Sequence, residues 1–141
     1  MPSLTVVICT HNRADLLCKC MASLDAAQRP DGWEISVLVV ANNCSDHTHR
    51  LLGEEVSRRR IGEGLPLTWV TEPRPGKSHA LNRAIALLDS EWVAFVDDDH
   101  RVDARWLLHI TAVMQQPSDI AMLCGRILPD WDGSEPSWVH D

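Results

Sequence analysis

Four short runs of β-branched and other apolar residues are each followed within a few residues by a polar cluster. They are Leu4–Cys9, Ile35–Val40, Leu67–Val70 and Trp92–Val96, and they lead to Thr10-His11-Asn12-Arg13, Asn42-Asn43, Arg74-Pro75-Gly76-Lys77 and Asp97-Asp98-Asp99. Segments with helical spacing separate them. Leu16, Leu17, Cys20, Met21 and Leu24 lie on one helical face, Leu51, Leu52 and Val56 on a second, and Ala80, Leu81, Ala84, Ile85 and Leu88 on a third. Strand alternating with helix predicts an α/β fold, a Rossmann-like and mostly parallel sheet with helices on both faces. A parallel sheet aligns the carboxyl ends of its strands, so the four polar clusters share one edge, where such sheets hold ligands.

Punctuation residues set the expected element ends. Thr10 or Asn12 is a candidate cap for the first helix, which Arg29-Pro30-Asp31-Gly32 breaks. Ser45 or Asp46 is a candidate cap for the second, whose basic end Arg58-Arg59-Arg60 reads as a solvated run matched to the helix dipole. Asp103 is expected to cap a fourth helix carrying Trp106, Leu107, Ile110, Val113 and Met114, ended by Pro117. Ile120–Cys124 reads as a fifth strand, and after Leu128 the pattern disappears into a stretch that holds Trp131 and Trp138.

Charge and cysteine content narrow the partners. A net charge of -7 argues against nucleic acid, which demands a basic face. No run approaches the roughly 18 apolar residues of a membrane span. The start Met1-Pro2-Ser3-Leu4 has neither the basic nor the apolar region of a secretory signal. Five cysteines, an odd number without a C-x-x-C pair, fit a reducing, cytoplasmic compartment better than a disulfide framework. His47 and His49 read as solvated surface residues.

The chemistry concentrates in the acidic run. Three consecutive carboxylates at a strand's end suit a hard divalent cation, because Mg²⁺ and Mn²⁺ prefer oxygen ligands. A solvated acidic loop is the alternative. Amide groups, the cations Arg13 and Lys77 and the carboxylates together suit a nucleotide diphosphate held through a metal. Gly76-Lys77-Ser78 is no phosphate-cradling P-loop: Thr71 stands where the first glycine belongs, and Pro73 and Pro75 remove backbone donors. A phosphorylation-receiver module would want acids after the first strand and an Asp after the third, where Thr10-His11-Asn12 and Glu72-Pro73 stand.

In this order and spacing the chain resembles the family 2 glycosyltransferases of the GT-A fold, which use nucleotide-diphosphate sugars. The matching segments are Val6–Arg13, Val39–Asp46, Gly76–Asn82 and Phe95–Asp99, and the likeness covers roughly residues 3–128. It implies that Asp97–Asp99 is the D-x-D element, with Asp99 the main ligand of Mn²⁺ or Mg²⁺ and Asp97 reaching the ribose or the metal. Thr10 and Arg13 would border the nucleotide, Asn42 would read base or ribose, and Lys77 would face phosphates or base. Asn12 and Asp98 complete the implied nucleotide-sugar-binding set.

Ala41 stands where the family often carries an Asp, so nucleotide identity does not carry over. The resemblance implies an inverting, metal-dependent transfer of sugar to a hydroxyl of a glycan, lipid or other acceptor. Residues 1–128 would be the donor-binding part, and 129–141 would lead toward an acceptor-binding half, at the inner face of a membrane in a longer enzyme. The tail acids Asp130, Asp132, Glu135 and Asp141 come too early to match the family's base, so no general base is identified. A non-catalytic nucleotide-binding module and a sugar-phosphate nucleotidyltransferase are the competing expectations.

Overall fold

The structure is a computed structural model that describes residues 1–117, 119–131, 133–134 and 136–140. The tail acids Asp132, Glu135 and Asp141 lie outside the described residues. Along the chain run β1 (Ser3–Thr10), α1 (Ala14–Ala26), β2 (Glu34–Asn42), α2 (Thr48–Arg60), β3 (Leu67–Glu72), α3 (Lys77–Ile85), β4 (Trp92–Phe95) and α4 (Trp106–Met114). The four strands are all parallel, in the order β3-β2-β1-β4. This is the expected Rossmann-like α/β architecture. The chain winds outward from β1 to β3, then crosses back to β4, so the direction of winding reverses between β1 and β4. That reversal opens a crevice at the strands' carboxyl ends.

The pleat divides the core in two. Leu4, Val6 and Ile8 of β1 and Val37 and Val39 of β2 pack with Leu17, Met21 and Leu24 of α1, Leu52 of α2 and Leu107 and Ile110 of α4. The intervening Val7, Leu38 and Val40 face Ala80 and Ala84 of α3. Alternate residues of a strand point to opposite faces, so near-continuous apolar strands are what a sheet covered on both sides requires. The small alanines let α3 lie close to the sheet. Ile85 of α3 and Val93 and Phe95 of β4 remain exposed, so the sheet face beside β4 is only partly covered. Leu16, expected on the buried face of α1, is also exposed.

Four expectations need correcting. Residues 120–124 form no strand; Ile120 and Met122 are exposed while Leu123 packs on the core. A strand exists only through a hydrogen-bonding neighbour, and this segment pairs with none of the four. Neither Thr10 nor Asn12 caps α1, because both side chains bond across to other loops. Neither Ser45 nor Asp46 caps α2 either: His47 holds its N-cap position, and Asp46 accepts from the Thr48 amide in the turn just before the helix. Nor is the basic end of α2 simply solvated. The Arg59 side chain is only 3% exposed. It donates to Asp25 of α1 and to Glu55, while Arg58 bonds Glu55 and Glu63.

Asp25 Oδ1 also accepts from the Leu65 amide, so one network joins α1, α2 and the approach to β3. Gly64 makes room for it: the residue has φ of +83°, and a Cβ there would meet Asp25 Oδ1 at 2.7 Å. His49, exposed as expected, stacks on Trp69 with ring centroids 5.5 Å apart. Asp103 accepts from the Arg105 amide and so shapes the turn leading into α4.

Candidate nucleotide and metal site

The crevice between β1 and β4 is built around Asp98. Thr10 Oγ1 donates to Asp98 Oδ2 at 2.8 Å, and Arg13 Nη1 donates to Oδ1 at 3.3 Å. The Asp98 side chain is 7% exposed. A buried carboxylate is tolerable only when such donors satisfy it. Behind it, the Cys20 thiol donates to the Asp97 carbonyl at 3.5 Å. Burial pushes that thiol up to about 12, with the three aspartates adding to the effect, so it stays protonated.

Pinning Asp98 inward turns its neighbours outward. The His100 amide donates to the Asp97 carbonyl at 3.0 Å, closing a tight turn over Asp97–His100. Asp97 and Asp99 are then 49% and 47% exposed. One ligand atom each from Asp97, Asp99 and His100 lies within 4.8 Å of the others. Two outward carboxylates beside an imidazole form a donor set that fits a divalent cation. His100 directly follows the acidic motif, and its spacing in the sequence does not show the turn that brings residues 97 and 100 together.

Cations border the carboxylates. Lys77 Nζ lies 2.5 Å from Asp97 Oδ1, and this hydrogen bond, opposed in part by desolvation, raises the lysine pKa. Arg13 Nη1 lies 3.6 Å from Asp99 Oδ2. Lys77 opens α3 directly after Gly76, whose φ of +129° suits glycine. Beside Lys77 and Asp97, a groove of about 220 Å³ is lined by Val7, Cys9, Leu81, Ile85 and Phe95. Burial pushes the Cys9 thiol up to about 11, with Lys77 pulling it down. A larger hollow of about 600 Å³ lies at the opposite sheet edge, among Ser3, Thr5, Trp33 and Glu34. It is remote from the acidic turn, so chemistry rather than volume locates the candidate site.

Asn42 and Asn12 hold loops. Asn42 is buried; its Nδ2 donates to the carbonyls of Glu72 (2.9 Å) and Arg74 (2.7 Å), and its Oδ1 accepts from the Gly76 amide at 3.0 Å. These bonds use both amide hydrogens of the side chain and set the loop that presents Lys77. Asn12, with φ of +50°, accepts the Ser45 and Asp46 amides at Oδ1 and donates to Ser45 Oγ. Left-handed backbone is tolerated best by asparagine among residues with a Cβ.

Two further supports were not legible. His11 Nδ1 donates to the Asn42 carbonyl, and Glu72 pairs with Arg74. The Arg74 guanidinium and amide hold the Glu72 carboxyl at about 2, well below its usual 4.5. Trp131 and Trp138 are both exposed.

Known proteins resemble this chain in sequence and in fold. The family model described as glycosyl transferase family 2 matches residues 5–141. Among curated relatives, the beta-monoglucosyldiacylglycerol synthase of Trichormus variabilis is 26% identical over 82% of this chain and 24% of its own length. The succinoglycan biosynthesis protein ExoM of Rhizobium meliloti is 25% identical over 94% of this chain and 41% of its own. This chain therefore spans about a quarter to two fifths of these relatives.

Among solved structures, a mannosyltransferase from Pyrobaculum calidifontis in complex with GDP-Man and Mn²⁺ superposes with a TM-score of 0.71 at 28% identity, covering 81% of this chain and 32% of that one. S. aureus TarS 1-349 in complex with UDP-GlcNAc gives 0.66 at 25% identity, covering 92% and 37%. With a parallel sheet that reverses at an acidic turn and a family match over nearly its whole length, this chain belongs to glycosyl transferase family 2.

Proposed function

We propose that the chain is the donor-binding part of an inverting, metal-dependent glycosyltransferase that moves sugar from a nucleotide diphosphate to an acceptor hydroxyl. The observation that carries this reading is the single turn at which Asp98 is pinned by Thr10 and Arg13 while Asp97 and Asp99 face outward beside Lys77. On this reading Asp99, with Asp97, holds Mn²⁺ or Mg²⁺, which when bound neutralises charge growing on the leaving diphosphate. The neighbour that binds GDP-Man and Mn²⁺ supports that assignment.

The chain's own residues divide the remaining work. Thr10 and Asp98 fix the turn before any ligand arrives, so little reorganisation is needed during reaction. Lys77 exchanges Asp97 for a phosphate oxygen and adds a charge-assisted bond. The α3 amides that follow Gly76 offer further donors to an anion. Asn42 positions that loop and Asn12 ties the β1–α1 and β2–α2 turns, so both act through backbone rather than by reading the base.

Single in-line displacement at the anomeric carbon inverts it and requires a base for the acceptor hydroxyl. No residue of this chain is assigned as that base. The acceptor is a hydroxyl of a glycan, a lipid or another molecule. No helix among the described residues is long and apolar enough to cross a membrane.

Saturation-transfer NMR with Mg²⁺ tests the reading. UDP- and GDP-sugars are compared with nucleoside triphosphates offered alongside sugar phosphates. A sugar nucleotide that binds, and loses its signal in Asp99→Ala, supports a glycosyltransferase. Preferential binding of a triphosphate would make the chain a nucleotidyltransferase instead.

A further inference from the structure

We propose that His100 is a third protein ligand of the divalent ion, one that turns the site from Mg²⁺ toward first-row transition ions such as Mn²⁺. The inference rests on the metal reading above and extends it to a residue outside the D-x-D pair. Three facts place His100 there. The Asp97–His100 turn is closed by its own backbone bond, which swings residue 100 back over residue 97. His100 Nε2 lies 3.9 Å from Asp99 Oδ1, the carboxylate expected to hold the ion. The imidazole, Asp97 and Asp99 bring one ligand atom each within 4.8 Å of the others, and all three side chains are accessible to solvent.

The anchoring of Asp98 gives this set its rigidity. With Asp98 tied to Thr10 and Arg13, the turn cannot roll over to exchange which side chains face out. Asp97 and Asp99 alone would present only oxygen, a set that suits Mg²⁺ as well as Mn²⁺. A neutral imidazole adds a nitrogen donor. Nitrogen strengthens binding of first-row ions and does little for Mg²⁺, which prefers oxygen and gives up its waters reluctantly. The site's preference between the two ions therefore falls to one residue.

The test is pulsed EPR on the chain loaded with Mn²⁺ alone, read by electron spin-echo envelope modulation. The expected result is modulation from a directly bound imidazole nitrogen that changes frequency on ¹⁵N-histidine labelling. It disappears in His100→Gln while Mn²⁺ still binds. In parallel titrations His100→Gln weakens Mn²⁺ by about tenfold, the lower end of what losing even an outer-shell partner costs, and weakens Mg²⁺ less.

Modulation that survives in His100→Gln, or its absence from wild-type chain with Mn²⁺ bound, overturns the proposal and leaves the reading of Asp97 and Asp99 standing. Failure of wild-type chain to bind Mn²⁺ at all overturns both. If His100→Gln loses its native circular dichroism, wild-type chain supplies the answer through diethyl pyrocarbonate labelling mapped by mass spectrometry. Mn²⁺ should protect His100, and unprotected labelling at saturating Mn²⁺ contradicts ligation.

Discussion

Removing Lys77 should move metal binding and nucleotide binding in opposite directions. Without ligand, Lys77 pairs with Asp97 at 2.5 Å, with side chains 61% and 49% exposed. A cation reaching Asp97 has to displace it. A solvent-exposed ion pair is worth about 0.2–1 kcal/mol, so Lys77→Ala should tighten Mn²⁺ binding by roughly 1.4- to 5-fold. On the proposed donor-binding reading, the same ammonium donates to a charged oxygen once a diphosphate is present, a bond worth roughly 1.5–3 kcal/mol. Its loss should weaken Mn²⁺-dependent nucleotide binding by about 12- to 140-fold. Isothermal titration of Mn²⁺ alone, and of UDP or GDP at saturating Mn²⁺, reads both constants. The gain in metal affinity should shrink at high salt, as exposed pairs do. An unchanged nucleotide constant would make Lys77 a solvated loop cation, and a fall in both affinities would refute the competition for Asp97.

Two other outcomes follow from charges buried or paired outside the crevice. Arg59→Met should destabilise the fold by about 3 kcal/mol in urea denaturation, because Asp25 and Glu55 lose a buried partner and only Arg58 remains between them. Stability should also fall in acid. Glu72 is lowered to about 2 by Arg74, and Asp46 and Glu55 are lowered by their hydrogen bonds, which outweigh desolvation. Groups with depressed folded values stabilise above their unfolded pKa and stop doing so as pH drops through the folded one, so the urea midpoint should fall from about pH 5 downward. Glu72→Gln should flatten that fall; an unchanged slope would remove Glu72 from the explanation.

Much of the fold was legible because a parallel sheet writes itself locally. β1 and β2 are buried on both faces, so each reads as an apolar run, and each strand's polar end marks the shared edge. Sheet order was less accessible, since pairing β1 with β4 joins residues 88 apart. The fifth strand failed for a related reason. Ile120–Cys124 has strand composition, but composition supplies no neighbour. The inward turn of Arg59 is not legible in the sequence, because a run of three arginines carries no sign of which one turns inward; that is decided by Asp25, on another helix.

At the site, the acidic motif and Lys77 were readable as residue types. What each side chain does was not. The alternation that buries Asp98 and exposes Asp97 and Asp99 depends on Thr10 reaching across the crevice. Asn42 offers the same amide whether it reads a base or clips a loop, and only the positions of Glu72, Arg74 and Gly76 decide that it clips the loop.

The measurement that bears most directly on the account is calorimetric titration of the chain with UDP and with GDP, each in Mn²⁺, in Mg²⁺ and in chelator. The carboxylates of the Asp97–His100 turn and the cation Lys77 are held to share one diphosphate through one metal ion. At least one nucleotide should therefore bind tightly with metal and weakly in chelator, and Asp99→Ala should erase the difference. Equal affinity with and without chelator, or an enhancement that survives Asp99→Ala, would contradict the assignment of this turn as the metal-bearing donor site.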